Sequence, residues 1–93
     1  MYAVVMRESG DAALIDQRGG IVEANVAPRV REAPGFVSAI WMSDGSGGTL
    51  NVLTFASEAE ATSALEAARH APRPPFLRLQ TADVLRVLAA TSV

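Results

Sequence analysis

Short apolar runs bounded by turn residues are separated along this chain by segments whose apolar positions recur every three or four residues. Tyr2 to Arg7 is short, apolar and β-branched at its centre, which predicts a first strand. Ser9-Gly10-Asp11 marks its end, and Asp11 is placed to cap a helix. A short helical turn is expected near Ala12 to Gln17. Gly19-Gly20 interrupts it, because each glycine costs a helix interior roughly 1 kcal/mol relative to alanine. From Gly20 to Ala33 the residues Val22, Val26, Val30 and Ala33 recur at spacings of four, four and three, the repeat of one helix face. Pro28 lies inside that repeat. It removes a backbone donor and pushes against the carbonyl of Ala24, so a kink is expected there, and Pro34-Gly35 stops the helix.

Phe36 to Met42 is apolar on both faces, with Phe36, Ile40 and Met42 on one and Val37, Ala39 and Trp41 on the other. That is the pattern of a strand covered on both sides. Asp44 to Gly48 supplies hairpin chemistry, and Thr49 to Phe55 is the third strand. Ser57 followed by Glu60 is a capping box for a second helix. Its inner stripe is Ala61, Leu65 and Ala68, with Ala64 alongside, residues small enough to let the helix lie close to a sheet. Arg69-His70 ends it, and Pro72, Pro74 and Pro75 forbid continuation. Phe76 to Val87 is a long final strand with a bulge or break expected in the polar stretch Gln80 to Asp83. Ala89 to Val93 is a tail expected to fray. The order β-α-β-β-α-β, in one domain over residues 1–93, predicts a ferredoxin-like α+β fold: a four-stranded antiparallel sheet with two helices on one face.

Composition adds a second copy to this picture. Of the 93 residues, 49% are hydrophobic, more than a two-layer domain with one wet sheet face needs. The uncovered face would present a patch of Val, Leu, Ile, Trp or Phe unusual for a monomer. A homodimer closed through that face, with twofold symmetry, is the expected solution; the alternative is a monomer whose final strand and tail fold back over the sheet.

Charge and chemistry remove several functions. There is no cysteine, which excludes disulfides and thiolate metal sites, and the single histidine excludes a multi-histidine metal centre. The net charge is −2. All of the basic residues are arginines, scattered from Arg7 to Arg86 among the acids, so no cationic footprint for nucleic acid forms. No strand, glycine-rich loop and helix follow one another in the manner of a phosphate cradle. The N-terminus lacks the features of a signal peptide, and no apolar run reaches the length of a membrane span. A cytoplasmic protein with no membrane contact is expected.

The order of elements, the stretch Val26-Ala27-Pro28 to Pro34-Gly35-Phe36-Val37, and Phe55-Ala56-Ser57-Glu58-Ala59-Glu60-Ala61 together resemble the dimeric α+β barrel superfamily. Within it the likeness is to antibiotic-biosynthesis-monooxygenase-like domains, and it covers nearly the whole chain. The resemblance implies a dimeric α+β barrel and a pocket between sheet and helices. Some members of the group oxidise aromatic polyketides without a cofactor, others degrade haem, and many have no known activity. The haem-degrading branch needs an asparagine on the first strand, a tryptophan ending the third and a histidine on the second helix. Here Phe55 and Leu65 stand at or near the last two positions, His70 comes about a turn later, and the first strand has no asparagine. The haem-handling reading fails on those residues, and no cofactor is expected.

Three residues are left as candidates for chemistry. His70 is the one side chain with a near-neutral intrinsic pKa and is the candidate catalytic base. It also fits a structural role at a helix C-terminus, beside Glu66 one turn earlier. Trp41 is a candidate for stacking on a flat substrate, or a core residue of the dimer. Asn51 sits mid-strand, where amides are depleted. It either orients a ligand carbonyl or pairs with a polar neighbour such as Thr54 or Ser38. Arg7, beside Glu8 at the end of the first strand, either forms a solvated ion pair with it or holds an anionic ligand. Two functions follow as expectations. One is a cofactor-independent monooxygenase acting on an aromatic or polyketide-like metabolite. The other is a non-catalytic dimeric module that binds an apolar ligand or a protein partner.

Overall fold

The computed structural model describes residues 1–93 and begins with strand β1, Tyr2–Gly10. Helix α1, Ala12–Gln17, follows, with the Asp11 carboxylate accepting the Leu14 N–H at 3.1 Å. Three helical segments, Gly19–Ile21, Val22–Val26 and Ala27–Arg31, run on from one another as helix α2. Strands β2, Phe36–Ser43, and β3, Gly48–Phe55, form a hairpin. Helix α3, Glu58–His70, and strand β4, Leu77–Arg86, complete the fold. The strands pair antiparallel throughout, in the order β2-β3-β1-β4. This is the α+β arrangement expected from the sequence, with the first helix divided at Arg18.

Pro28 acts on α2 one turn upstream. Val22–Val26 is a π turn, in which the Ala27 N–H reaches back to the Val22 carbonyl. An extra residue in the turn is a common answer to a position that cannot donate, and it bends the helix axis. The capping box on α3 forms as read: the Ser57 hydroxyl accepts the Glu60 N–H at 3.2 Å and donates to the Glu60 carboxylate at 2.9 Å.

Pairing register decides which side chains meet the helices. Val4 lies opposite Leu53 and Val84, and Met6 opposite Asn51 and Ala82. The core gathers on that face from Val4, Met6, Leu53, Phe55, Ala61 and Leu65. Two details correct the reading of the strands. Phe36 joins this face, not that of Ile40 and Met42, because the register shifts between Phe36 and Ser38. The bulge turns Phe36 inward, where its ring meets Phe55 edge-on at 6.1 Å. Strand β1 runs three residues past Arg7, through Gly10. That last strand position requires glycine, because the Phe76 backbone carbonyl occupies the space a Cβ would fill.

The bulge expected in β4 lies opposite Arg7 and Glu8, where Gln80 has no partner in the ladder and its amide bonds the Ser9 hydroxyl at 2.7 Å. On the face away from the helices, Ile40 and Leu85 are each 54% exposed, and Val5, Leu50, Val52 and Met42 lie among them by register. β2 is therefore covered on one side only within a single chain.

Candidate functional site

Between the helices and the sheet lies a cleft with two adjoining lobes, of about 320 and 500 Å³. Glu8, Arg18, Val22, Trp41, Asn51 and Leu77 wall both lobes. The smaller reaches the hairpin end of the sheet at Ser43 and Thr49; the larger runs between α2 and α3, over Val26, Val30, Ala64 and Ala68. The space exists because the two helices meet the sheet differently. Ala61 and Leu65 bring α3 directly onto Phe55 and Val4. α2 starts with two glycines, widens at its π turn, and touches the core chiefly through Val30.

Strand periodicity places the polar groups. Glu8 follows Val4 and Met6 with a period of two, and Asn51 precedes Leu53 and Phe55 in the same way, so both point toward the helices. The buried Asn51 amide donates to Glu8 Oε1 at 2.7 Å. Arg73, from the proline-rich loop after α3, donates from Nε to Glu8 Oε2 at 2.9 Å. The Glu8 and Arg73 side chains are only 11% and 18% exposed, so this charge-assisted bond is far better shielded than a surface pair. A carboxylate can only accept, which requires the Asn51 atom facing Glu8 to be Nδ2. The amide is thereby fixed in one orientation, with its carbonyl oxygen and second N–H unspent on Glu8. Nearby, the Thr49 hydroxyl is buried without a partner at the wall of the smaller lobe, and Ser43 donates to Asp16 at 2.7 Å.

Of the three candidates from sequence, the structure brings Trp41 and Asn51 together on the cleft wall and leaves His70 apart. His70 lies at the end of α3, 82% exposed, 3.9 Å from Glu66, and lines neither lobe. Asn51 does not pair with Ser38 or Thr54, whose hydroxyls bond each other on the opposite face. Glu8 pairs with Arg73 and not with Arg7. Glu8 and Arg73 are the residues that sequence reasoning missed. The signal for Glu8 was the alternation Val4, Met6, Glu8, hidden by ending the strand at Arg7. No local signal joins Glu8 to a residue 65 positions away. No three His, Cys, Asp or Glu side chains converge in a way that would hold a metal ion.

Solved structures share this architecture. A monooxygenase from the gene ActVA-Orf6 of Streptomyces coelicolor, in complex with nanaomycin D, superposes with a TM-score of 0.62 at 19% identity, over 99% of this chain and 91% of that one. The haem-degrader MhuD of Mycobacterium tuberculosis, with two haems in its active site, gives 0.72 at 14% identity over 99% and 100% of the two chains. HapK from Hahella chejuensis gives 0.67 at 11% identity over 100% and 98%. No family model and no curated protein matches the sequence. The chain has the fold of the dimeric α+β barrel, antibiotic-biosynthesis-monooxygenase-like proteins.

Proposed function

We propose that the protein binds an aromatic, polyketide-like metabolite in the helix-side cleft and oxidises it with dioxygen, without a cofactor. The observation that carries this reading is the apolar two-lobed cleft with Trp41, Asn51 and Glu8 at the junction of its lobes. A flat ligand fits that chemistry: Trp41 offers a ring face, and the locked Asn51 amide offers a donor and an acceptor to a ring carbonyl or phenol. The nanaomycin D complex of the Streptomyces monooxygenase supports an aromatic ligand class in a protein of this fold.

The reaction needs an activated ring methylene. Loss of its proton gives a carbanion that transfers electrons to dioxygen; one oxygen atom becomes the ring carbonyl and the other leaves as water. Glu8 is the carboxylate at the junction of the two lobes, shared by both walls, and the acceptor for that proton, a role the exposed His70 does not reach. The test is oxygen uptake with anthrone. One O2 consumed per anthraquinone formed, abolished in Glu8→Gln, is the expected result. Catalysis that survives this change but not His70→Ala would contradict it.

A second reading, a binding module with no catalysis, is favoured by one feature: both Glu8 oxygens already carry a hydrogen bond. Ligand binding without oxygen uptake selects that reading. Either way, we propose that two copies close the open sheet face through Ile40, Met42, Val52 and Leu85. A specific interface of ordinary size needs about 800 Å² per partner. Sedimentation equilibrium at micromolar concentration tests it, with a 9.8 kDa species alone as the contrary result. No helix is long and apolar enough to cross a membrane. The cytoplasmic location read from the sequence is carried as part of the same proposal, with cell fractionation as its test.

A further inference from the structure

We propose that the ligand of this cleft is an anion and that Arg18 is the cation that anchors it. The inference rests on the proposed reading of the cleft as a binding site and narrows its ligand class to aromatic acids and phenolates.

The chain as a whole carries a net charge of −2. The larger lobe has the opposite sign, with Arg18, Arg29 and Arg73 against one carboxylate, Glu8; the smaller lobe adds Asp16, which accepts the Ser43 hydroxyl, and Glu23. Glu8 is committed to Arg73. The other ion pairs of the chain join Glu66 to Arg69 and His70, which leaves Arg18 and Arg29 without a carboxylate. Arg29 is exposed on α2, where water satisfies it. Arg18 is half-buried, sits at the turn between α1 and α2, and walls both lobes.

Its guanidinium lies 6.0 Å from the centroid of the Phe76 ring. That contact orients the planar group and displaces water from one side of it, while its N–H edges remain free to bind a carboxylate or phenolate. The two unpaired arginines are about three turns apart, ~16 Å along the helix, too far to share one small anion. Arg18 is the one beside Trp41 and Asn51, so a ring held by those residues brings its charge to Arg18.

Two dyes with the same fused and anilino rings separate charge from shape. 1-Anilinonaphthalene-8-sulfonate carries one negative charge, and N-phenyl-1-naphthylamine carries none. Trp41 is the single tryptophan, so its quenching by energy transfer reports occupancy near the cleft. At low salt the sulfonate is expected to bind at least tenfold more tightly. Arg18→Gln should reduce that preference to less than twofold and leave the neutral dye's affinity unchanged. Arg18→Lys should keep most of the preference, and Arg29→Gln all of it. Equal affinity for the two dyes, or a preference that survives Arg18→Gln in a folded variant, would overturn the inference while leaving the cleft reading intact. Failure of both dyes to quench Trp41 would overturn the two together.

Discussion

The two ends of the helix-covered sheet face are built to opposite purposes. Under α3, Phe55 and Val4 are sealed by Ala61 and Leu65, and nothing polar intrudes. Under α1 and the start of α2, the same strands present Glu8, Thr49 and Asn51 to open space. The strands do not change; the helix surface does. Small side chains let α3 come down onto the sheet, whereas the glycine pair at the start of α2 adds no side chain to fill the space beneath it and a π turn follows. In this fold a site arises where a helix fails to close, and period-two alternation then decides which strand residues fill the gap.

The largest effect belongs to the sealed end. Phe55→Ala removes a fully buried ring from the core beside the larger lobe and is expected to cost about 3–5 kcal/mol in urea denaturation. At the open end, Arg73→Met strips a shielded carboxylate of its partner and should cost about 2 kcal/mol. Glu8→Leu combined with Arg73→Met should cost clearly less than the two single changes added together, because the orphaned charge disappears. Additive costs would show that the pair is not coupled.

Asn51→Leu is expected to shift stability by less than ~1 kcal/mol, since Glu8 keeps Arg73 and the methyl groups face an apolar cleft. Quenching of Trp41 by anthraquinone should nevertheless weaken several-fold. A large loss of stability with unchanged quenching would make Asn51 a structural residue.

The smallest effect lies in the β2–β3 turn. The Asp44 carboxylate accepts N–H bonds from Ser46 at 2.7 Å and Gly48 at 3.0 Å, which holds its carboxyl below the usual carboxylate range. A lowered folded pKa means that the ionised form stabilises the turn above the unfolded value of about 4. The contribution disappears as pH falls through the lower folded value. Asp44→Asn should therefore lower Tm slightly at pH 7, and the difference should close in acid. A gap that widens toward low pH would reverse the assignment.

Much of the frame was legible because its signals are local. The Ser57 and Glu60 capping box, the Pro28 disturbance, the Pro34-Gly35 stop and the Gln80 bulge each follow from a few adjacent residues. Gly35 shows why the stop is sharp: its φ of +75° is open to glycine, and the Glu60 carboxylate occupies the place of a Cβ. The register of Phe36 was not legible, because a one-residue bulge reverses every side chain beyond it. The site was half legible. Asn51 and Trp41 stood out as misfits in apolar strands. Glu8 was concealed by a glycine that looked like a strand end and is a point of close backbone approach. Arg73 arrives from the loop after α3, and only the folded chain brings it to Glu8.

The proposed ligand site is the helix-side cleft and not the open sheet face. Crystals of the protein grown with 2-bromoanthraquinone test it directly through the anomalous signal of bromine. A bromine peak inside the cleft is expected, with the ring system against Trp41 and a quinone oxygen within hydrogen-bond reach of Asn51. A peak on the face of Ile40, Val52 and Leu85, with the cleft holding only solvent, would contradict it.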